Sequence, residues 1–234
     1  MMKASLQEIF SSFQGEGIFV GEPHIFVRFN GCHILCRYCD SPESEHSFAR
    51  SVEEVAEEVE VLERTRGPHH AVSLTGGEPL LHVDFLEGLL PLLKERGFAT
   101  YLETNGILFG ALQRLLPWTD IVAMDLKPPS ATGERPFWNE HERFLRIAFE
   151  RLGSCCFVKV VTTQETTEDD MRRCIGIVSE VDPAIPFVIQ PVTPYRDVHE
   201  HASQDVLVRF NDLALRQLTD VRVIPQIHKL IGVR

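Results

Sequence analysis

Residues 70–106 read HAVSLTGGEPLLHVDFLEGLLPLLKERGFATYLETNG, and this stretch decides the fold. The segments at 70–75 and 99–104 are short, rich in β-branched and aromatic residues, and bounded by Gly or charged residues, which is typical of strands. Between them, the apolar pattern over 83–97 predicts an amphipathic helix, and Gly97 can end it. A strand, a helix and a second strand in this order predict two parallel neighbours in one sheet.

The same alternation continues along the rest of the chain. Further strand-like segments lie at 24–29, 120–126, 156–162, 186–192 and 221–226, and further helical patterns lie at 51–65, 144–153, 167–181 and 203–218. Ser51 with Glu54 predicts a capping box, and Gly153 predicts a helix end. We therefore expect an α/β fold, an incomplete β/α barrel with a mainly parallel sheet, in one domain over 1–234.

Composition excludes several classes of protein. The 234 residues are 44% hydrophobic and 24% charged, which is typical of a globular chain. Acidic residues outnumber basic ones by 34 to 23, and the net charge of −11 argues against a nucleic-acid partner. No apolar run reaches the roughly 18 residues that a membrane helix needs, and the N-terminus lacks a signal-peptide core. We expect a cytoplasmic protein without a membrane partner.

Ligands of parallel β/α folds bind at the carboxyl ends of the strands, so the residues that follow each strand are the first place to look. These segments, in chain order, are NGCHILCRYC, TGGEP, ETNG, DLKPP, TTQE, QPVTP and QIHK. Glu103 is a candidate to face the site, whereas Asn105 and Gly106 are typical of a turn. The Pro-containing stretch 126–142 is predicted to be a surface excursion and is a candidate lid.

Three of the six cysteines, Cys32, Cys36 and Cys39, fall within eight positions. Three thiolates from one tight loop can hold three irons of a four-iron cubane and leave the fourth iron open. The remaining cysteines, at 155, 156 and 174, are expected to be buried reduced thiols, although a fourth ligand from among them stays open. Zinc is the alternative, with His33 or His46 completing four ligands.

The segment Thr75-Gly76-Gly77-Glu78-Pro79 follows a predicted strand. Two glycines let the backbone approach a ligand, and Glu78 can accept hydrogen bonds from an ammonium; a plain strand-to-helix turn is the alternative. CxxxCxxC with an aromatic residue before its last Cys, followed by TGGEP, resembles the radical S-adenosylmethionine superfamily. The resemblance implies that the open iron chelates S-adenosylmethionine and that a reduced cluster cleaves it to a 5′-deoxyadenosyl radical.

Further motifs narrow the resemblance. FQGEG, VRFNGC, CxxxCxxCDS, TGGEPLL, ETNG, DLKPP, QPV and QIHKLIG together resemble the 7-carboxy-7-deazaguanine synthase family over nearly the whole chain. That family converts 6-carboxy-5,6,7,8-tetrahydropterin into 7-carboxy-7-deazaguanine with release of ammonia, on the route to queuosine in tRNA. The resemblance implies a four-iron cluster, S-adenosylmethionine and Mg²⁺ as cofactors, a reductant such as flavodoxin or ferredoxin, and a homodimer.

The resemblance also implies a role for individual residues, with no catalytic side chain beyond the cluster and cofactor. The implied substrate contacts are Phe13, Gln14, Gly15, Glu16, Arg28, Thr75 and Arg234. The implied S-adenosylmethionine contacts are Tyr38, Asp40, Gly76, Gly77, Glu78, Asp125, Leu126, Lys127, Gln190, Pro191, Val192 and Thr193. The implied magnesium ligand is Ser41, where many relatives have threonine, and Asp125 stands where relatives often have serine.

Structural alternatives remain for these residues. Arg28 suits a carboxylate as a bidentate donor, but a surface ion pair is the alternative, and Lys127 can equally be a solvated charge. The histidines at 69, 70, 199 and 201 are expected to be solvated. Two other functions also remain: an activating enzyme for glycyl-radical proteins, which shares CxxxCxxC and TGGEP, and a non-catalytic zinc module.

Overall fold

In the computed structural model, residues 2–41, 43–195 and 198–233 are described, and they form one mixed α/β layer structure. Nine strands make a single sheet in the order β3-β1-β2-β4-β5-β6-β7-β8-β9. Their bounds are β1 Lys3–Phe13, β2 Pro23–Phe29, β3 Phe48–Ser51, β4 Ala71–Gly76, β5 Thr100–Thr104, β6 Ile121–Asp125, β7 Cys156–Thr162, β8 Phe187–Pro191 and β9 Val221–Val223. The sheet does not close, so the predicted incomplete barrel with a mainly parallel sheet is confirmed.

All seven predicted strands are present, as β2 and β4 to β9, and each pairs in parallel with its neighbour. The last one was predicted too long: β9 ends at Val223 rather than 226, because Pro225 has no N–H to continue a ladder. Two strands were missed. β1 and β3 form an antiparallel extension on β2, which explains how the barrel begins with a hairpin.

Eight helices of the described chain cover the sheet. Their bounds are α1 Val52–Arg66, α2 Val83–Glu95, α3 Phe109–Leu115, α4 Pro129–Thr132, α5 Trp138–Leu152, α6 Glu168–Val181, α7 Gln204–Ala214 and α8 Ile227–Ile231. Ser51 and Glu54 make the predicted capping box, with both reciprocal hydrogen bonds. Gly97 and Gly153 adopt positive φ after α2 and α5, as predicted for helix ends.

The helix α5 begins six residues earlier than its predicted start at 144. His141 supplies the first position of its apolar stripe, since His141, Phe144, Leu145 and Ala148 are all buried at helical spacing. Histidine is not counted as apolar in a sequence pattern, so the part of α5 before residue 144 was not predicted. The apolar face of α5 therefore packs a neutral histidine into the core.

The two faces of the sheet differ, because side chains alternate along each strand. On β2, Ile25, Val27 and Phe29 are fully buried in the aliphatic core under the helices. The opposite face carries His24, Phe26 and Arg28, and it lines the inside of the open barrel. This inner face positions the candidate site.

The stretch 126–142, predicted to be a surface excursion, is packed into the fold. Ala131 and Phe137 are buried, and the carbonyl of Thr132 accepts from the Arg37 N–H at 3.0 Å. The Glu134 carboxylate accepts from the Leu35 N–H at 2.6 Å. The segment therefore packs against the cysteine loop and is hydrogen bonded to it, so the prediction of a surface excursion is wrong.

Two smaller expectations also change. Cys156 and Cys174 are buried as expected, and burial raises the pKa of the Cys156 thiol to about 12, but Cys155 is exposed. His69 is not solvated: its ring bonds Glu63 at 2.6 Å and Ser11 at 2.8 Å. Within the described residues, no helix has the length and apolar character to cross a bilayer.

Candidate active site

One cleft at the carboxyl ends of β2 to β8 gathers most of the predicted site residues. Those that line it are Phe13, Gln14, Gly15, Glu16, Arg28, Cys32, Cys36, Tyr38, Cys39, Asp40, Ser41, Thr75, Gly76, Gly77, Asp125, Lys127, Gln190 and Val192. Four others, Glu78, Leu126, Pro191 and Thr193, lie outside the lining. Arg234, predicted to contact the substrate, lies outside the described residues, so this contact stays a prediction.

The cysteine loop is short and is held by its own backbone. The Cys39 N–H donates to the carbonyl of Cys36 at 3.0 Å, and all three thiols are free. Burial raises the pKa of the Cys36 thiol to about 11 and raises that of Cys32 as well. A coordinating thiol loses its proton to the metal, so metal binding at Cys32 and Cys36 must overcome this raised pKa.

The arrangement of these thiols bears on which metal they fit. Among the described residues, no three His, Cys, Asp or Glu side chains converge to hold one metal ion. A zinc site needs ligands at about 2.0 to 2.3 Å from a single ion, whereas a cubane takes one thiolate at each of three irons. The other cysteines do not line the cleft. Three free thiols from one loop line the cleft, and this donor set fits a four-iron cluster with one iron free of protein ligands.

The two glycines of TGGEP pack against the chain that leads into the cysteine loop. A Cβ on Gly77 would come within 1.9 Å of the carbonyl oxygen of Gly31, and one on Gly76 within 2.2 Å of that of Phe29. The Glu78 N–H also donates to the Gly31 carbonyl at 2.9 Å. The close approach expected of these glycines is thus made, in this structure, to the backbone just before Cys32.

Glu78 does not point into the cleft. Its fully buried carboxylate accepts from the N–H of Leu80 at 3.0 Å, the hydroxyl of Thr104 at 2.8 Å and the N–H of Asn105 at 2.8 Å. Burial outweighs these hydrogen bonds and raises the pKa of Glu78 to about 7. The expected ammonium contact therefore does not follow from this geometry; the carboxylate instead braces the ETNG turn after β5.

A row of alternating charges crosses the inner face. Lys159 on β7 is hydrogen bonded to Glu16 and lies 3.5 Å from Asp125, which in turn accepts from Lys127 at 2.7 Å. Burial opposes the ionisation of Glu16, but the charge of Lys159 and the hydrogen bond from Gln226 hold its pKa well below its usual range. The neighbouring carboxylates also raise the pKa of Lys159 and of Lys127, so Glu16 and both lysines are charged at neutral pH and hold one another in position.

Two buried acceptors in this cleft have no hydrogen-bond partner among the residues that the structure describes. They are Oδ1 of Asp125, the last residue of β6, and Oε1 of Gln190 near the end of β8, with β7 between the two strands. An unpaired buried acceptor costs roughly 1 to 3 kcal/mol, so such atoms are expected to meet donors of a ligand. Hydroxyl and ammonium groups of S-adenosylmethionine are donors of this kind, and both acceptors share a cleft with the three thiols.

Glu103, a candidate to face the site but given no role from the sequence, lies in the cleft and is central to its hydrogen bonds. Its carboxylate accepts from the Gln14 amide at 2.8 Å and from the Thr75 hydroxyl at 2.7 Å. Gln14 in turn accepts from the N–H of Glu16 at 3.1 Å. The signal that identifies Glu103 is its position two residues after the buried Tyr101, on the same face at the end of β5.

Arg28 and Ser41 are brought together. The guanidinium of Arg28 donates to the Ser41 hydroxyl at 2.6 Å and lies 3.0 Å from the Glu8 carboxylate. The Ser41 hydroxyl donates to Asp40 at 3.4 Å. A guanidinium has five N–H donors, so Arg28 keeps donors for a carboxylate ligand beside these contacts.

The C-terminal segment closes over the cleft. The Gln226 amide bonds both Glu16, at 2.7 Å, and Asp40, at 3.0 Å, and Lys229 bonds Asp40 at 2.5 Å. A Cβ on Gly15 would collide with the ring of His228. Sequence reasoning missed Gln226 and Lys159 as cleft residues. Lys159 was visible as one cation inside the apolar strand FVKVV.

The base of the cleft is aromatic. Phe10 and Phe26 stack with ring centroids 5.0 Å apart, and Tyr101 and Phe157 lie deeper, 6.3 Å from each other. Polar and charged groups thus form the rim, while flat apolar rings form the floor. Such a pocket suits a flat heterocycle that carries polar groups on its edge.

Comparisons with known proteins agree with this geometry. The sequence model of the Radical SAM superfamily matches residues 26–174. A protein of Geobacter sulfurreducens named 7-carboxy-7-deazaguanine synthase is 38% identical, over 98% of this chain and 97% of its own length. A protein of the same name from Methanothermobacter thermautotrophicus is 34% identical, over 100% of this chain and 99% of its own length.

Solved structures show the same fold. The crystal structure of QueE from Escherichia coli superposes with a TM-score of 0.64 at 21% identity, covering 97% of this chain and 96% of that chain. Streptococcus suis SuiB bound to S-adenosylmethionine superposes with a TM-score of 0.62 at 18% identity, covering 83% of this chain and 48% of that chain.

Proposed function

We propose, on the premise that this chain belongs to the radical SAM superfamily and within it to the 7-carboxy-7-deazaguanine synthase family, that the cleft carries out the reaction of that family. The reaction is the radical ring contraction of 6-carboxy-5,6,7,8-tetrahydropterin to 7-carboxy-7-deazaguanine, with loss of ammonia. When bound at the three thiols, a four-iron cluster supplies the electron that cleaves S-adenosylmethionine. The chain over 1–234 acts as one radical SAM domain.

One observation carries this proposal: a single cleft joins the three thiols to the segment Phe13–Glu16 and to Arg28. The thiols account for radical initiation, which many enzymes share. The pterin-like substrate is supported by the aromatic floor and by the cation at its rim, because a flat ring with a carboxylate needs both. A zinc module needs neither.

The residues proposed to bind S-adenosylmethionine act by orientation. Asp125 and Gln190 offer unpaired buried acceptors for its hydroxyl or ammonium groups, while Lys127 holds the Asp125 carboxylate in place. Tyr38 is buried beside Lys127 and shields this pair from water. Gly76, Gly77 and Val192 line the strand ends without polar side chains, so they leave room for the ligand there.

The residues proposed to bind the substrate form the opposite side of the cleft. Arg28 pairs with its carboxylate, and Phe13, Gly15 and Thr75 shape the pocket around its ring. The amides and carboxylates of Gln14 and Glu16 already bond Glu103, Lys159 and Gln226, so they arrive at the substrate in fixed orientations. Preorganised polar groups of this kind lower the cost of ordering on binding.

Mg²⁺ is proposed to bind at Ser41. Hydroxyl and carboxylate oxygens are the ligands that Mg²⁺ accepts, and it commonly keeps several waters beside one or two protein groups. Ser41 and Asp40 supply both kinds of oxygen at the edge of the cleft. Because Arg28 donates to the Ser41 hydroxyl, Mg²⁺ would compete with Arg28 for that oxygen. Activity that is lost with a chelator and restored by added Mg²⁺ would support this site.

Three further proposals concern the surroundings of the enzyme. A low-potential one-electron carrier such as flavodoxin or ferredoxin reduces the cluster. The chain acts in the cytoplasm, for which free reduced cysteines are the supporting observation. It forms a homodimer, for which the exposed apolar side chains Leu230 and Ile231 on α8 are the supporting observation.

The test is an anaerobic turnover assay with the cluster-loaded chain, S-adenosylmethionine, a chemical reductant and 6-carboxy-5,6,7,8-tetrahydropterin. We expect 7-carboxy-7-deazaguanine and ammonia to accumulate, and we expect this to require both S-adenosylmethionine and the reductant. Cleavage of S-adenosylmethionine without this product would refute the assigned substrate and leave radical chemistry in place. Uptake of about one zinc and no iron would refute both.

A pair of arginine variants sharpens the substrate assignment. Arg28→Ala should keep the iron content and raise the KM for the carboxytetrahydropterin, because the carboxylate loses its partner. Arg146→Ala, which removes a half-exposed arginine paired with Glu142 on α5, is the control and should leave the KM unchanged. An unchanged KM in Arg28→Ala would contradict the proposal that Arg28 binds the carboxylate of the substrate.

A further inference from the structure

The turn after β5 is fixed by hydrogen bonds to the main chain of Asn105. Its N–H donates to the buried carboxylate of Glu78 at 2.8 Å, and its carbonyl accepts from the ring of the buried His141 at 3.0 Å. Asn105 itself is 5% exposed. Two separate elements, the TGGEP segment and the helix α5, therefore determine where this residue lies.

The side chain of Asn105 is oriented as well. Its Oδ1 accepts from the N–H of Ile107 at 3.2 Å, and this bond decides which end of the carboxamide is oxygen. The other end, Nδ2, then faces the thiol of Cys32, with a nitrogen-to-sulfur distance of 4.0 Å. Within the described chain, this is the one side-chain hydrogen bond that reaches any of Cys32, Cys36 and Cys39.

We propose that Asn105 is a positioning residue that acts through Cys32: its amide N–H faces the sulfur that binds the cluster and raises the reduction potential of that cluster. This inference rests on the proposed function, since it presumes that Cys32 ligates iron. In the step concerned, a low-potential carrier loses one electron and the cluster gains it. An N–H donor at a ligating sulfur stabilises the added negative charge, so hydrogen bonds of this kind are a recognised determinant of cluster potentials.

The role assigned to the side chain is separable from the structure of the turn. The bonds to Glu78 and His141 use only main-chain atoms of Asn105, so replacing its side chain leaves them in place. Removing the carboxamide takes away the N–H that faces Cys32 and the acceptor for Ile107. The variant Asn105→Asp keeps an acceptor for Ile107 but presents an oxygen, rather than an N–H, to the sulfur.

The experiment measures the midpoint potential of the reconstituted cluster by an anaerobic redox titration followed by electron paramagnetic resonance, without S-adenosylmethionine or substrate. In Asn105→Ala, we expect the equilibrium to shift toward the oxidised cluster by up to tenfold, which is about 59 mV for a one-electron couple. Asn105→Asp should shift it in the same direction and further, because a carboxylate adds negative charge near the sulfur. Iron content should stay at about four per chain in both variants.

A neighbouring variant is the matched control. Thr104→Val removes a hydroxyl that donates to the same Glu78 carboxylate but leaves the Asn105 carboxamide in place. The equilibrium between oxidised and reduced cluster in this variant should therefore stay within about twofold of that in the parent protein. Equal potentials for the parent protein and both Asn105 variants would overturn the inference. So would loss of the cluster from both variants while Thr104→Val keeps it, since Asn105 would then hold the loop rather than tune it.

Failure of the proposed function looks different in this experiment. If the chain binds zinc, no iron signal exists in any variant. If it binds a cluster but acts on another substrate, the potentials still differ between variants as expected. The readout therefore tests Asn105 on its own.

Discussion

The two ends of the parallel sheet differ along the same strands. On β2, the inner face carries His24 at the amino end, Phe26 in the middle and Arg28 at the carboxyl end. His24 is fully buried, bonds Ser73 at 2.7 Å and packs edge-on against Tyr101 at 5.2 Å. Arg28, two pleats away, faces the cleft and keeps free donors. One strand thus runs from a sealed aromatic end to a polar, ligand-facing end.

The other strands repeat this gradient. On their inner faces, a buried residue is followed two positions later by a polar residue of the cleft: Ser73 by Thr75, Tyr101 by Glu103, Ala123 by Asp125, and Phe157 by Lys159. Of the buried residues, Tyr101, Ala123 and Phe157 form part of the cleft floor, and Ser73 lies below it. Residues two positions apart on a strand lie on the same face. A step of two residues therefore separates a packed side chain from a polar side chain of the cleft. The side chains at the aromatic, amino end of the strands therefore stabilise the fold, whereas the polar side chains at the carboxyl end are available to a ligand.

The largest expected effect distinguishes cysteines at the two ends. Cys36→Ala should abolish iron binding, because two thiolates cannot hold a cubane that needs three. Cys155→Ala, at the exposed amino end of β7, should keep about four irons per chain after anaerobic reconstitution. Iron and sulfide analysis with visible absorption measures both. A loss of iron in Cys155→Ala would mean that the carboxyl end does not hold the cluster alone.

The next effect concerns the charges at the carboxyl end. Lys159→Met should lower the free energy of unfolding by about 3 kcal/mol, because it leaves the buried Glu16 carboxylate beside Asp125 without its cation. Urea unfolding measures this change. The double variant Lys159→Met with Glu16→Gln should recover part of the loss, since it removes the unpaired charge as well. Equal stability of the single and double variants would contradict a coupled pair.

The sequence predicted the parallel strands of the sheet but not its antiparallel extension. The parallel strands were predictable, since their Val, Ile and Phe runs separate helices of clear periodicity, and the cleft follows from their carboxyl ends. The strand β1 was missed because KASLQEIFSSF mixes apolar residues with Gln, Glu and Ser. Its role is to extend the sheet by antiparallel pairing, which no local pattern encodes.

Side-chain direction was the harder part of the site. Residue type alone predicted some of the site, because clustered cysteines indicate metal binding and an arginine can bind a carboxylate. These residues are Cys32, Cys36, Cys39 and Arg28. Glu78 was expected in the cleft but turns into the protein, where Thr104 and Asn105 bond it. That outcome depends on the packing of Gly76 and Gly77 against the backbone of Phe29 and Gly31, which are far away in sequence, so it is a tertiary effect that single-residue reasoning does not predict.

The third effect is the loss of stability in acid that is caused by His24 at the buried amino end of β2. Burial, with the positive charges that His70 and His69 would carry, lowers the pKa of His24 from 6.5 to about 3. The unfolded chain therefore binds a proton at His24 below about pH 6.5 that the folded chain refuses, and the free energy of unfolding falls as the pH drops. At about pH 5 this histidine alone should cost roughly 2 kcal/mol relative to neutral pH, at 1.36 kcal/mol per pH unit.

Urea unfolding of the cluster-free chain between about pH 7 and pH 5 measures this loss, so that acid release of iron does not contribute. His24→Asn should flatten the pH dependence by the amount assigned to His24. His70→Asn, at the exposed neighbour that stacks 5.6 Å from His24, is the control and should retain most of the dependence. An unchanged slope in His24→Asn would place the acid sensitivity elsewhere, for example at the buried His141.

The smallest effect compares two hydroxyls on one face of β4. Ser73→Ala removes the bond to His24 and should lower the free energy of unfolding by about 1 kcal/mol, while the KM for the carboxytetrahydropterin stays unchanged because Ser73 lies below the cleft. Thr75→Val removes the bond to Glu103 in the cleft and should raise that KM. Paired urea unfolding and steady-state kinetics distinguish the two. If Ser73→Ala raised the KM as much as Thr75→Val, the division between a supporting end and a ligand-facing end would fail within a single pleat repeat.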